Sequence, residues 1–273
     1  MLDEAISGEF QEADYDESRL SRLESRWKQF LEYSSISRAN LEKEKENIKS
    51  LISDISHQTK TPMTNIKLYV SLLSENLEAE EESPQREENQ RLLAEIGRQT
   101  DKLEFLIDAL TKMSRLESNL VEVRPQREEI GSLIAETVQE ALLKAEKKEI
   151  HIQQLFQGEM YAIFDRKWTK EALGNVLDNA VKYAPNASTV TISVTEYGLY
   201  TAISVKDEGP GIREEEIPKI FGRFYRAREM HKEEGVGIGL YLAREILRKQ
   251  DGYIKVNSAP GQGSEFQLYL KRQ

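Results

Sequence analysis

The sequence predicts an α+β protein in two parts, a long helical hairpin followed by a mixed α/β domain. Two observations support this division. Before Pro125 the chain is rich in Glu, Lys, Ser and Leu, whereas most of the glycines follow it. In the first part an apolar residue recurs at about every seventh position, which favours helices that associate. In the second part apolar and polar residues alternate along several segments, as in strands. We place the boundary between Asn119 and Glu129.

The composition narrows the class of protein. The 273 residues suffice for one large or two ordinary domains, and the lack of cysteine excludes disulfides and thiolate chemistry. With 48 acidic and 38 basic residues the net charge is −10, which argues against a nucleic-acid partner. The acidic start is not a signal peptide, and no apolar run approaches the roughly 18 to 20 residues of a membrane span. We therefore expect the chain as given to be soluble.

The first part is predicted to be a linker, residues 1–40, followed by a helical hairpin, residues 41–122. The segment EAEEESPQREEN interrupts the apolar pattern, which resumes from Leu92 to Met113. Two helices cannot enclose a core, so we expect two copies to pair into a four-helix bundle. A monomeric hairpin lying on the second domain is the alternative. The sevenfold series is Leu20, Trp27, Ser34, Leu41, Ile48, Ile55, Pro62 and Tyr69.

The segment SHQTKTP, from Ser56 to Pro62, places a histidine and a proline inside a predicted helix. A proline there removes a backbone hydrogen bond and costs roughly 3 kcal/mol. It stands five residues after His57, one of only three histidines. Neutral imidazole is a nucleophile near pH 7 because its ordinary pKa is about 6.5. A solvated histidine without a function is the alternative.

The segment RKWTKEALGNVLDNAVKYAP is predicted to be an amphipathic helix with a functional polar face. Amide oxygens can ligate Mg²⁺, and a lysine one turn later can contact phosphate oxygens. A merely solvated polar stripe is the alternative. The five polar residues recur at three or four positions, and they are Glu171, Asn175, Asn179, Lys182 and Tyr183.

Two glycine-rich segments follow this helix. Alternating residues on either side of Tyr197 and Gly198 predict an antiparallel hairpin that leads into DEGPG, residues 207–211. Glycine lets the backbone approach a flat ligand, and the carboxylate of Asp207 can accept a hydrogen bond from an exocyclic amine. In GVGIGLYLAREIL, alternate glycines open an amphipathic helix, whose N-terminal amides suit phosphate.

In this order the motifs resemble those of bacterial sensor histidine kinases. SHQTKTP resembles their phosphoacceptor box, although Gln58 stands where the family has an acid. The later segments resemble the N, glycine and F boxes of the GHKL ATPase superfamily, with IFGRFYRA as the F box and PGQGSEFQLYL as the closing glycine box. The resemblance covers Leu51 to Leu270 and implies that residues 123–273 form a Bergerat-type α/β sandwich that binds ATP.

The resemblance also implies roles for individual residues. His57 would be phosphorylated by ATP, and Thr61 would help to orient water that dephosphorylates the partner. Asn175 and Asn179 would hold Mg²⁺, Lys182 and Arg226 would contact phosphates, and residues 228–234 would belong to a mobile lid. The nucleotide-binding set would be Glu171, Asn175, Asn179, Lys182, Tyr183, Asp207, Gly209, Gly211, Phe224, Gly235, Gly237, Gly239 and Leu240.

The partners follow from the same resemblance. We expect a homodimer formed through the hairpin, phosphoryl transfer to an aspartate of a response-regulator receiver domain, and phosphatase activity towards that regulator. Residues 1–40 resemble a juxtamembrane coiled-coil linker, so we expect the chain to lie on the cytoplasmic side of the bacterial membrane, with a transmembrane sensor segment missing before it.

Three questions stay open at this point. Asp54 lies three residues before His57 and is a candidate to replace the acid missing at Gln58, but a surface aspartate without a role is the alternative. A GHKL protein-serine kinase or ATPase would share the second domain without needing the hairpin. A scaffold would retain the fold but lose Asn179 or the glycines, and all of these are present.

Overall fold

The computed structural model describes residues 19–78, 84–117, 123–227 and 235–272. These residues divide into two compact units, one ending at Thr61 and one beginning at Pro62. The predicted domain limits, after residues 40 and 122, stay predictions. Residues 1–18 of the linker and residues 228–234 of the expected lid lie outside the described residues.

The first part of the chain contains two long helices, α1 (Arg19–Glu78) and α2 (Pro84–Glu117). The predicted interruption is confirmed, because α1 ends and α2 begins within EAEEESPQREEN. Pro84 is the first residue of α2, where a missing N–H group costs no intrahelical bond. Helix α1, in contrast, continues through Pro62. In the part of the chain with described structure, no helix is both apolar and long enough for a membrane span.

The second part of the chain is a mixed sheet with helices, as predicted. It begins with β1 (Gln126–Glu129), α3 (Ile130–Glu146), β2 (His151–Leu155), β3 (Tyr161–Phe164) and α4 (Arg166–Tyr183). It continues with β4 (Thr189–Glu196), β5 (Tyr200–Asp207), α5 (Gly239–Arg248), β6 (Tyr253–Ser258) and β7 (Ser264–Lys271). The described strands form one sheet in the order β1-β3-β7-β5-β4-β2, and β6 also pairs with β7.

The pairing register brings two distant parts of the sequence together at one end of the sheet. The predicted hairpin is confirmed as the antiparallel pair β4 and β5. Strand β5 also pairs antiparallel with β7, from Tyr200 opposite Lys271 to Asp207 opposite Ser264. The two glycine-containing segments that follow β5 and precede β7 therefore lie side by side.

Helices α3, α4 and α5 contribute their apolar faces to a common core with the sheet. Trp168, Leu173, Val176, Leu177 and Ala180, the predicted apolar face of α4, are all buried. Burying one such aliphatic or aromatic side chain contributes roughly 1.5 to 3 kcal/mol, so this face fixes the rotation of α4. The polar face of α4 is consequently turned away from the core.

Carboxylates determine where two of these helices begin. Glu129 accepts hydrogen bonds from the backbone N–H groups of Gly131 and Ser132 at the start of α3. Asp165 accepts one from the N–H group of Trp168 at the start of α4. Such caps satisfy donors that have no partner within the helix, and each typically contributes about 1 kcal/mol.

Candidate functional site

The polar face of α4 lies against the glycine-rich loop that precedes α5. All five predicted residues of this face are half-buried. Asn175 donates from its Nδ2 to the carbonyl oxygen of Glu171 at 2.8 Å. Its Oδ1 lies 2.7 Å from the position that a Cβ on Gly239 would take. A side chain at this position would collide with Asn175, so the loop approaches α4 closely because residue 239 is glycine.

The same loop meets the other end of the polar face at Lys182. The Nζ of Lys182 lies 2.9 Å from the position that a Cβ on Gly235 would take, and 3.2 Å from the hydroxyl of Tyr183. Gly235 is thus beside Lys182, and Gly239 is beside Asn175. Residues 235–239 therefore run antiparallel to α4, alongside an ammonium and an amide.

Asp207 is buried at the end of β5, with 4% of its surface exposed. Its Oδ1 accepts hydrogen bonds from the N–H groups of Gly209 at 2.8 Å and Ser264 at 3.3 Å. Burial raises the pKa of Asp207, although these two hydrogen bonds act in the opposite direction. The carbonyl oxygen of Tyr183 lies 3.0 Å from the position of a Cβ on Gly209. The carboxylate is therefore held beside the end of α4.

A serine clamps the segment after Asp207 onto the turn before β7. Ser258 Oγ accepts from the N–H group of Ile212 at 2.8 Å and lies 2.8 Å from the carbonyl oxygen of Gly263. Its hydroxyl is also 2.9 Å from that of Ser264. Gly211 has φ +74°, and a Cβ there would stand 1.9 Å from the carbonyl oxygen of Ala259. Only glycine fits this approach, so the clamp fixes the loop that carries Gly209 and Gly211.

The F box lies against the glycine loop of residues 235–239. A Cβ on Gly237, whose φ is +79°, would stand 2.6 Å from the carbonyl oxygen of Tyr225 and 3.1 Å from Cγ of Arg226. Phe224 has a positive φ of 58° and packs against a small apolar cluster that contains Val236 and Ile238. Residues of the predicted F box are therefore in contact with the loop of residues 235–239.

Helix α2 completes this side of the site, a contribution that was not predicted from the sequence. Leu106 and Ala109 of α2 belong to the cluster with Val236 and Ile238. Lys112 donates from Nζ to Oε1 of Glu171 at 2.8 Å, so an ion pair connects α2 to the polar face of α4. The apolar spacing of α2 predicts a buried face but not the surface that it covers.

The oxygen atoms of the side chains around Asn175 are of the type that binds a magnesium ion. Mg²⁺ prefers oxygen ligands, keeps several waters and binds phosphate oxygens, and it therefore needs only one or two protein ligands. The predicted ligands Asn175 and Asn179 supply amide oxygens on one face of α4. No group of three or more His, Cys, Asp or Glu side chains suited to a metal occurs among the described residues. The predicted ligands are consistent with a shared protein and phosphate site and not with a metal cage.

The predicted phosphoacceptor box lies within α1. Asp54, His57, Gln58 and Thr61 are all in this helix, but the side chain of His57 lies outside the described residues. Asp54 and Gln58 are half-buried, and Thr61 is exposed. The roles assigned to these four residues, and to the residues of the second domain, stay predictions.

Comparison with known protein families identifies both parts of the chain. Residues 48–119 match the His Kinase A (phospho-acceptor) domain. Residues 164–273 match the family of histidine kinase-, DNA gyrase B- and HSP90-like ATPases. A phospho-acceptor domain followed by this kind of ATPase domain defines the histidine kinase class. The chain belongs to the bacterial sensor histidine kinases, of which it carries the phospho-acceptor and ATP-binding domains.

Individual proteins agree with this classification. The adaptive-response sensory kinase SasA of Thermosynechococcus vestitus is 32% identical over 225 residues, which are 81% of this chain and 59% of SasA. The sensor protein kinase PmrB of Pseudomonas aeruginosa is 28% identical over 225 residues, 81% of this chain and 45% of PmrB. This chain thus spans about half the length of these two relatives.

A solved structure shows the same fold. The histidine kinase ThkA, in a crystal structure with the response regulator protein TrrA, has a TM-score of 0.68 and 18% sequence identity. The match covers 88% of this chain and 66% of that chain. The predicted α+β architecture, with a helical hairpin and an α/β sandwich, is thereby confirmed.

Proposed function

We propose that the chain is an ATP-dependent protein-histidine kinase that phosphorylates His57 and transfers the phosphoryl group to a response-regulator aspartate. One observation carries the proposal: the loop of residues 235–239 lies along the polar face of α4, and the buried carboxylate of Asp207 lies near the end of the same helix. This arrangement offers backbone amides and cations to phosphates and a carboxylate to an amine-bearing base. The same chain carries the phospho-acceptor helix.

The proposed reaction is in-line phosphoryl transfer. Unprotonated Nε2 of His57 attacks the γ-phosphorus of ATP, an N–P bond forms, the bond to the β,γ-bridging oxygen breaks, and ADP leaves. Lys182 and Arg226 offset negative charge on the phosphates, and positioning supplies most of the acceleration. The proton on the other imidazole nitrogen is then lost. Gln58 cannot accept it, and Asp54 is the nearest acid by helical spacing.

We further propose that Asn175 and Asn179 hold Mg²⁺ together with ATP. A bound magnesium ion supplies positive charge that lowers the repulsion between the phosphates and an incoming nucleophile. Asn175 turns its Oδ1 towards the glycine loop because its Nδ2 already donates to Glu171. The amide thus presents an oxygen, the atom type that magnesium binds, at the place where we expect the phosphates.

The proposed partners are a second copy of the chain and a response regulator. A homodimer is supported by the phospho-acceptor family match and by large apolar side chains exposed on both hairpin helices. Transfer to a response regulator is supported by the structure of ThkA with TrrA. Thr61, exposed on α1, is proposed to assist dephosphorylation of the regulator. The exposed apolar residues of the hairpin include Ile52, Met63, Leu68, Leu72, Leu93, Phe105 and Ile107.

Substitution of the acceptor tests the proposal. With γ-labelled ATP and Mg²⁺, His57→Gln is expected to abolish labelling of the chain while ATP binding, measured by calorimetry, stays intact. His151→Gln is the matched control, because His151 is an exposed histidine on β2. Equal labelling of His57→Gln and the unsubstituted chain would remove His57 as the acceptor.

The expected membrane anchoring and cytoplasmic location stay predictions.

A further inference from the structure

The last turn of α4 carries two residues of the proposed ATP site and lacks a glycine cap. Helix α4 ends at Tyr183, and Ala184 is extended with φ −63° and ψ 144°. Pro185 follows and has no N–H group to donate. The final carbonyl groups of a helix have no donor within the helix and must find one elsewhere.

The ammonium group of Lys148 supplies donors to this turn. Its Nζ lies 3.1 Å from the carbonyl oxygen of Val181, 2.7 Å from that of Lys182 and 2.9 Å from that of Ala184. An ammonium has three N–H donors, so it can satisfy all three carbonyl groups at once. A positive charge at this end of a helix is also favoured by the helix dipole.

The backbone around Lys148 is fixed as well. Lys148 follows α3, and its N–H group donates to the carbonyl oxygen of Ala145 at 3.0 Å. Its own carbonyl oxygen accepts a hydrogen bond from the N–H group of Ala187 at 2.9 Å. Side chain and backbone of Lys148 therefore both bind the segment from Val181 to Ala187, and the residue ties the end of α3 to the end of α4.

The turn that Lys148 holds is the place where α4 meets both glycine loops. Lys182 Nζ lies beside Gly235, and the carbonyl oxygen of Tyr183 lies beside Gly209. A turn with unsatisfied carbonyl groups would rotate to reach water, and such a rotation would move Lys182 and Tyr183 away from the loops.

We propose that Lys148 is a positioning residue of the ATP site, which acts through Lys182 and Tyr183. This inference rests on the proposed function, because it assumes that the glycine loops and α4 bind ATP. Lys148 sets the orientation of the last turn of α4. The orientation of this turn determines how Lys182 contacts the phosphates.

Calorimetric titration of the full chain with ATP and Mg²⁺ tests the inference. Lys148→Met keeps the aliphatic stem and removes the donors, and we expect ATP to bind about tenfold more weakly, which corresponds to ~1.4 kcal/mol. Lys148→Arg retains several donors and should recover most of the affinity. Lys147→Met is the matched control, because Lys147 is the exposed neighbour of Lys148, and its affinity should equal that of the unsubstituted chain.

A double variant shows whether Lys148 acts through Lys182. If it does, Lys148→Met combined with Lys182→Met should lose less affinity than the sum of the two single losses, because the second substitution removes one of the groups that the first one misplaces. Full addition of the two losses would contradict action through Lys182. Should Lys148→Met fail to fold, Lys148→Gln, which removes the charge and one of the three donors, should also weaken ATP binding, by less than tenfold, and an unchanged affinity would contradict the inference.

The outcomes separate this inference from the proposed function. If Lys148→Met only lowers the thermal midpoint and binds ATP with unchanged affinity, Lys148 is a structural residue and the inference is wrong. If the unsubstituted chain binds no ATP, the proposed function is wrong and the inference falls with it. Weaker binding by Lys148→Met, recovery by Lys148→Arg and no change in Lys147→Met would support it.

Discussion

At the scale of single residues, the buried carboxylate of Asp207 lowers the stability of the fold but provides a hydrogen-bond acceptor for the proposed ligand. Its carboxylate is buried, and within the described residues it accepts hydrogen bonds from two backbone N–H groups. Burial of an ionised carboxylate is unfavourable, and it raises the pKa of Asp207 above its ordinary value. A hydrogen bond donated to this carboxylate by the amine of a bound ligand would offset part of the unfavourable free energy of burial. Asp207→Asn should therefore weaken ATP binding.

The raised pKa makes a prediction about stability without ATP. Between the ordinary and the raised pKa the folded protein binds a proton that the unfolded chain has released, so ionisation of Asp207 lowers the free energy of unfolding as pH rises through this window. Asn cannot ionise. Urea unfolding of both proteins from about pH 4 to pH 8 should show the unsubstituted chain losing stability relative to Asp207→Asn and then levelling off.

The control for this measurement is an exposed aspartate. Asp251 lies on the surface after α5, and Asp251→Asn should not reproduce this pH-dependent difference. A difference between Asp207→Asn and the unsubstituted chain that does not change with pH would contradict the burial argument.

A third prediction at this scale concerns the proton acceptor near His57. General-base assistance contributes roughly 10² to 10⁴ in rate, and Gln58 cannot provide it. If Asp54 serves instead, Asp54→Asn should slow autophosphorylation at saturating ATP, and Gln58→Glu should restore much of the loss. An unchanged rate in Asp54→Asn would show that this aspartate has no role. Single-turnover labelling rates measure the difference.

At the scale of elements, the ion pair between α2 and α4 connects the hairpin to the proposed ATP site. Burial lowers the pKa of Lys112, but hydrogen bonds to Glu171 and Asp108 outweigh this effect and raise it. The stabilisation by this lysine is thus present at neutral pH and is lost only as pH rises through the raised pKa of Lys112. The side chains of Lys112 and Glu171 are 33% and 32% exposed, which limits the strength of the pair.

Lys112→Met should therefore cost only about 0.5 to 1 kcal/mol of unfolding free energy. Combined with Glu171→Gln in a double-mutant cycle, the two losses should be less than additive, because either change alone breaks the pair. Lys102→Met, at an exposed lysine of the same helix, is the control and should leave stability unchanged. Additive losses in the cycle would contradict a direct interaction between Lys112 and Glu171.

The sequence predicted the elements better than the contacts between them. Local periodicity was sufficient for α2, for the two faces of α4 and for the β4 and β5 hairpin. It could not show that Lys148 reaches the end of α4 or that Lys112 reaches Glu171, since both contacts join residues far apart in the chain. The contacts of Ser258 were not predicted either, because they depend on the packing of Gly211 against the turn before β7.

At the scale of the whole molecule, the chain joins a phospho-acceptor domain to an ATP-binding domain of the histidine kinase type. The helices of the first part expose large apolar side chains, whereas most apolar residues of the second part lie in a core that also includes Leu116 of α2. An ATP-binding domain of this kind also occurs in proteins that phosphorylate serine or only hydrolyse ATP. The product of the reaction, and not the fold, therefore decides between these activities.

The chemistry of the labelled product tests the central claim most directly. The chain is incubated with γ-labelled ATP and Mg²⁺, and the labelled protein is then treated with acid or with alkali. Because a phosphorylated imidazole carries an N–P bond, we expect a label that survives alkali and is lost in acid. A label that survives acid and is lost in alkali would indicate phosphoserine or phosphothreonine and would contradict a histidine kinase.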